Sequence, residues 1–177
     1  MKSTIGQIAS VLNRQPLGAN SGLILIGPPC SGKSTFLADL KSRISSTLVV
    51  ASTDDLIEEH ARSIGKTYSE VFRDVNFGAL KKQMMQNVEL AKAAGHNIAF
   101  DQTNMSAKSR REKLAAFEGM IKYAVVFPFD YDTLWQRNLT RNEKTGKFIP
   151  EHVIKSMIES YQAPTKAEGF TDIMELV

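Results

Sequence analysis

The chain has 177 residues, 42% hydrophobic and 23% charged, a size and balance that give one domain with a packed core and exclude collagen-like, mucin-like and extensively disordered classes. Its 22 lysines and arginines against 19 aspartates and glutamates leave a formal charge of +3, too small an excess to establish a nucleic-acid partner by itself. Cys30 is the single cysteine, so an internal disulfide and a thiolate metal cluster are excluded. With no apolar run long enough for a membrane helix and no signal-peptide stretch, no membrane contact is expected and the expected setting is cytoplasmic.

Residues 3–14 place Ile5, Ile8, Val11 and Leu12 on one helical face before Pro16, Gly18 and Gly22 break the pattern, so residues 1–20 read as a leading helix and linker. Leu23–Ile26 form a first strand, followed by a glycine-bounded loop and a helix over Lys33–Ile44, and Leu48–Ala51 form a second strand. A helical region follows, broken near Gly65, with one segment over Ser69–Ala94 ended by Gly95. Asn97–Phe100 make a third strand, Ser106 caps a helix reaching Glu118, and Lys122–Phe127 make a fourth strand closed by Pro128. Helical pattern returns over Tyr131–Asn142, and Pro150 suits the first position of another helix to about Tyr161. Asp172–Val177 fits a fifth strand. This alternation predicts a single α/β domain, a parallel sheet flanked by helices on both faces, with residues 131–161 as a helical lid.

Gly27-Pro28-Pro29-Cys30-Ser31-Gly32-Lys33-Ser34 fits G-x-x-x-x-G-K-[ST], placed after a strand and opening a helix. A polyphosphate needs several backbone N–H groups aimed at one anion, and glycines let the chain curl that tightly. Gly27, Cys30, Ser31, Gly32, Lys33, Ser34 and Thr35 are therefore the nucleotide-binding candidates. Lys33 brings charge to the β and γ phosphates, the Ser34 hydroxyl can hold Mg2+, and the helix N-terminus adds its own positive end. With no histidine nearby in sequence, Cys30 reads as small filler rather than a catalytic thiol.

Ligands of a parallel sheet collect at the carboxyl ends of its strands, which draws notice to Ser52-Thr53-Asp54-Asp55 and Asp101-Gln102-Thr103-Asn104. Helix capping is the competing reading for Asp54 or Asp55. In phosphoryl transfer to an alcohol, Asp54 is the candidate that takes the acceptor's proton and Asp101 the acidic group near the metal. Arg137 and Arg141, four apart on one helical face, precede the polar run Asn142–Lys147, which reads as a mobile lid loop, while Leu134, Trp135 and Leu139 are expected to pack beneath. The cluster Lys108, Arg110, Arg111 and Lys113 reads first as a solvated face and second as a phosphate site. His60, His96 and His152 lack ligand spacing, so no structural zinc is expected. The seven methionines read as core filler, Phe127, Phe129 and Tyr131 as packing, and no aromatic ladder for nucleic acid is visible.

Taken together, the cradle Gly27–Thr35, the strand-end Asp54, the D-x-T-N element at Asp101–Asn104, and Arg137-Asn138-Leu139-Thr140-Arg141 with Gly146 and Ile149-Pro150 resemble the kinase domain of the polynucleotide 5′-kinase family. That family occurs in bacteriophage and animal enzymes that phosphorylate 5′-hydroxyl ends of DNA or RNA, and the likeness spans roughly residues 23–161. It implies a P-loop NTPase-type sheet, ATP and Mg2+ as cofactors, and a polynucleotide 5′ end as partner. Asp54 matches the family's general base, Lys33 and Ser34 its ATP and magnesium contacts, and Arg141 its lid arginine, with Arg137 supporting. Asp101 serves the metal shell or the scaffolding of the site. The bacteriophage form carries an arginine three residues after the base, where this chain has Ile57; Arg62, Lys66 or Arg73 are the candidates to replace it. The chain is expected to act as a stand-alone kinase without 3′-phosphatase activity. The competing readings are a kinase of a small alcohol, such as a nucleoside, sugar acid, antibiotic or sugar nucleotide, and a nucleotide-gated binding module without turnover.

Overall fold

The computed structural model describes residues 2–15 and 20–177. In chain order its strands are β1 (Lys2–Ser3), β2 (Ser21–Ile26), β3 (Leu48–Ala51), β4 (Asn97–Phe100), β5 (Ile121–Val126) and β6 (Asp172–Leu176). They form one parallel sheet in the spatial order β1-β6-β5-β2-β4-β3. The helices are α1 (Ile5–Asn13), α2 (Lys33–Arg43), α3 (Thr53–Ser63), α4 (Tyr68–Phe72), α5 (Phe77–Ala93), α6 (Ala107–Ala116), α7 (Tyr131–Thr145) and α8 (Glu151–Glu159), with a 3-10 turn at Lys166–Glu168.

Strand β2 is buried along its whole length, which accounts for its unbroken apolar run: a central parallel strand is covered on both faces. Leu23 and Leu25 meet Ile8 and Leu12 of α1 and Phe36, Leu37 and Leu40 of α2. Ile24 and Ile26 belong to the opposite layer, with Met84 and Val88 of α5 and Leu114 and Phe117 at α6. The order turns at β2, whose neighbours β4 and β5 lead away to opposite sides, so the crevice beyond its carboxyl end is where a ligand of such a sheet binds.

Several elements depart from the sequence reading. β1 was not legible: two residues carry no periodicity, and the strand exists only through its pairing with Glu175 and Leu176. Gly22 lies inside β2, paired with β4 and β5, rather than in the linker, and a side chain there has no room, since a Cβ would sit 2.2 Å from the Phe117 ring. The linker expected around Pro16 and Gly18 lies outside the described residues. The segment expected as one helix over Ser69–Ala94 is interrupted at residues 73–76, where Asn76 caps α5 by accepting a bond from Ala79 N at 3.1 Å. The polar run expected as a mobile loop is helical through Thr145, and Gly146 ends α7 in the left-handed region at φ +70°. Pro150 stands one position earlier than expected, as the N-cap of α8. Of the residues expected beneath α7, Leu134 is buried while Leu139 is 36% exposed.

The basic cluster of α6 divides: Lys108 and Arg111 are exposed, as a solvated face expects, whereas Arg110 and Lys113 turn inward. Arg110 is fully buried, its guanidinium bonded to both carboxylate oxygens of Glu168 at 2.8 Å and to the carbonyls of Asn104, Met105 and Gln162. Lys113 donates to Asn104 Oδ1, and burial lowers its pKa to about 8. Among the described residues no helix is long and apolar enough to cross a membrane.

Candidate active site

The loop from β2 into α2 needs glycine for two different reasons, space at Gly27 and backbone conformation at Gly32. A Cβ on Gly27 would stand 2.7 Å from Ser31 Oγ, and Gly32 has φ +100°. Cys30, expected as filler, holds the left-handed region at φ +65°, a conformation costly for a non-glycine residue and one that gathers at functional sites. Lys33, the first residue of α2, is buried and its Nζ donates to Gly27 O at 2.8 Å and Pro28 O at 2.7 Å. Burial lowers its pKa to about 8, opposed by the charges of Asp101 and Asp54.

The end of β4 is fastened to this loop. Asn104, in the left-handed region at φ +50° and almost fully buried, donates from Nδ2 to Leu25 O at 2.7 Å and Gln102 O at 3.0 Å. Gly27 N donates to Thr103 O at 3.0 Å. The asparagine of the D-x-T-N element thus ties β2 to β4, a role that buried side-chain amides fill with two donors and an acceptor. Asp101 N donates to Ala51 O at 3.0 Å, and burial raises the carboxyl's pKa against the pull of Lys33.

At the end of β3 the N-cap of α3 is Ser52, whose Oγ accepts from Asp55 N at 3.2 Å. Asp55 belongs to this cap, its carboxyl also hydrogen-bonded to the Ser52 side chain, as the capping reading expected for one of the pair, and Asp54 is left free of it. Asp54 receives a hydrogen bond at Oδ1 from the Tyr68 hydroxyl, 2.8 Å away. Tyr68 is a residue that sequence reasoning missed; burial and the neighbouring Asp54 charge raise its pKa far above the ordinary value. Lys147 stands over the Tyr68 ring, 4.1 Å from its centroid, and forms an ion pair with Glu58. Ile57, at the position where the bacteriophage family has its arginine, is fully buried against Ala61 and Val71.

From α7, Arg137 donates from Nη1 to Cys30 O at 3.1 Å, closing the helix over the loop. Among the described residues Arg141 Nε is buried with no hydrogen-bond partner. Asn138, fully buried, holds the following turn in a reciprocal pair, Nδ2 to Ile149 O at 2.9 Å and Ile149 N to Oδ1 at 3.1 Å. These groups share one cleft of about 790 Å³, which takes in the loop, Asp54, Asp55, Glu58, Asp101, both arginines and Lys147, with Ile5, Phe127, Leu176 and Val177 at its apolar end. A buried lysine, an unpartnered buried guanidinium N–H and a helix N-terminus in one cleft form a receptor for a polyanion. The residues fit a nucleoside triphosphate. They also fit Mg2+, which takes one or two side-chain oxygens and fills its shell with water and phosphate; Ser34 and Asp101 line the cleft.

Aromatic side chains also differ from expectation. Tyr68 stacks on Phe72 with centroids 5.4 Å apart, and Phe72 meets Phe77 edge-on at 5.3 Å. Phe127, by contrast, is core, packed on Phe36.

A parallel sheet with a phosphate loop at the end of its central strand and carboxylates at the ends of the two strands beyond it defines a P-loop nucleotide-binding domain. Residues 23–164 match AAA_33, an AAA domain family, and the chain belongs to it. It is 29% identical over 146 residues to an L-seryl-tRNA(Sec) kinase of Methanococcus maripaludis, covering 80% of this chain and 52% of that protein. A chain in the structure of the Pnkp1/Rnl/Hen1 RNA repair complex is 28% identical with a TM-score of 0.64, covering 80% of this chain and 44% of that one. The chain thus spans about half the length of these relatives. A gluconokinase from Sinorhizobium meliloti 1021 shares the fold, with a TM-score of 0.55 at 13% identity over 91% of this chain and 83% of its own.

Proposed function

We propose that the protein transfers the γ-phosphoryl group of ATP to the 5′-hydroxyl end of a polynucleotide. The observation that carries the reading is the Tyr68 hydroxyl donating at 2.8 Å to Asp54, a residue lining the phosphate cleft: an O–H group already stands on the carboxylate that an acceptor alcohol would use. In the proposed reaction the acceptor hydroxyl takes the phenol's place and gives its proton to Asp54, its oxygen attacks the γ-phosphorus, and the bond to the β–γ bridging oxygen breaks to release ADP. Lys33 and the loop amides hold the β and γ phosphates. Arg141, whose Nε has no partner, meets the charge spread over the moving group, and Arg137 fixes α7 to the loop. Ser34 and Asp101 are the residues that would hold Mg2+, which neutralises phosphate charge when bound. The polynucleotide acceptor draws support from the likeness to the RNA repair complex chain and from the four motifs in their order.

A second reading, transfer to another alcohol such as the side chain of an aminoacylated tRNA, is favoured by the similarity to the seryl-tRNA kinase and by the burial of Ile57. The test is incubation with γ-labelled ATP, Mg2+ and a 5′-hydroxyl oligonucleotide beside seryl-tRNA and a panel of small alcohols. Label on the oligonucleotide supports the first reading. Label elsewhere supports the second, and tight ATP binding without label leaves a nucleotide-gated module.

A further inference from the structure

The rings of Tyr68, Phe72 and Phe77 form a run that starts on the Asp54 carboxylate and ends in solvent. Phe72 and Phe77 are 42% and 49% exposed, a placement that buries neither in the core. Along the chain residues 62–82 carry five basic side chains (Arg62, Lys66, Arg73, Lys81, Lys82) against two acidic ones (Glu70, Asp74), while α3, packed against α4, adds Asp54, Asp55, Glu58 and Glu59. All five are exposed, and Lys66, Arg73 and Lys82 form no ion pair among the described residues. Exposed aromatic rings, with Lys147 over the Tyr68 ring and exposed lysines and arginines along the same elements, match the chemistry of a single-stranded polynucleotide, whose bases stack on rings while its phosphates meet the cations. An apolar protein partner would gain nothing from that charge.

We propose that this surface is the acceptor's stacking shelf: the terminal nucleobase of a single-stranded 5′ end stacks on one of the exposed rings Phe72 and Phe77, which stand at 75° to each other, with the second ring against its edge, and its 5′-hydroxyl displaces the Tyr68 phenol from Asp54. The shelf deepens the polynucleotide reading and rests on it. Tyr68 then has two states, donor to Asp54 in the free protein and displaced ring in the complex, with Lys147 above it in the first.

The test compares two 5′-hydroxyl oligonucleotides, identical except that one has an abasic terminal nucleotide, as acceptors for the wild type, for Phe72→Leu with Phe77→Leu, and for Phe72→Trp. The wild type should show a KM about tenfold or more lower for the intact end, the magnitude of one base stacked on an aromatic ring. The double variant should bring the ratio near one, and Phe72→Trp should keep it. ATP affinity measured by calorimetry on each variant guards against misfolding. A wild type that labels both oligonucleotides equally overturns the shelf alone. A wild type that labels no oligonucleotide but labels another alcohol overturns the polynucleotide reading and the shelf with it. If the double variant keeps the ratio and instead loses self-association in sedimentation, the rings are a contact between copies and the shelf is overturned.

Discussion

Replacing Glu168 by glutamine keeps the shape of the side chain and removes the charge that Arg110 is paired with. Arg110 has no solvent exposure and Glu168 little, the two meet through a pair of bonds of 2.8 Å, and the remaining guanidinium donors go to three backbone carbonyls. Removing one partner of a buried pair leaves an uncompensated charge and costs about 3 to 5 kcal/mol, a large part of a total stability on the order of 5 to 15 kcal/mol. Glu168→Gln should therefore lower the melting temperature by roughly 6 to 20 °C for a domain of this size. In urea it should move the midpoint without changing the slope. Arg110→Met should cost at least as much, because it also leaves the Asn104 and Met105 carbonyls short of a donor next to the Asp101 strand end. The pH dependence has a definite sign. Hydrogen bonding to Arg110 holds Glu168 below its ordinary value of 4.5, so the pair's contribution is present above that value and is lost as pH falls through the folded-state pKa. The gap between wild type and Glu168→Gln should close as the solution is acidified. A loss below about 1 kcal/mol at neutral pH, the size of a surface pair, would refute the claim that this ion pair is a buried structural tie.

Asp54→Asn should lower kcat by about 10² to 10⁴ while leaving ATP affinity nearly intact; steady-state kinetics beside calorimetry checks the split, and a collapse of affinity would remove Asp54 from the acceptor side. Arg141→Ala should lower kcat by at least about 10², and by more than Arg137→Ala does, since Arg137 is already bonded to Cys30 O whereas Arg141 Nε has no partner. Because burial brings Lys33 to about 8, its charge is present below that pH and lost above it, so the Kd for ATP should rise by about tenfold per pH unit on the alkaline side, and Lys33→Arg should flatten that rise. Gly22→Ala should cost about 1 to 3 kcal/mol by forcing a methyl into the Phe117 ring, with Phe117→Leu offsetting part of it in a denaturation series.

The phosphate loop was legible because its demands are local: a strand, small residues where backbone must approach an anion, and a lysine and serine opening a helix. Asp54 and Asp101 were legible as members of one cleft because parallel strands deliver their carboxyl ends to the same side. What escaped depends on partners far away in sequence. Arg110 looks like a surface charge until Glu168 is brought to it. Lys147 looked like part of a loop, and its contacts with Glu58 and Tyr68 depend on how α7 closes over α3. Phe72 and Phe77 were hidden by the single-helix reading, and Tyr68 stood just before it. Five residues along a continuous helix would set Phe72 and Phe77 about 140° apart around its axis, whereas the break before Asn76 turns them toward each other.

The reciprocal amide bonds between Asn138 and Ile149 have a mechanical effect. They weld the turn carrying Lys147 to the helix carrying Arg137 and Arg141, so the three cations move as one plate rather than as separate fingers. That plate touches the nucleotide loop at Cys30 and the opposite wall at Glu58 and Tyr68. In the proposed reaction an acceptor that displaces Lys147 would therefore pull on the Cys30 loop through the same plate, and the Ile149 amide should exchange its hydrogen slowly while the reciprocal bonds hold.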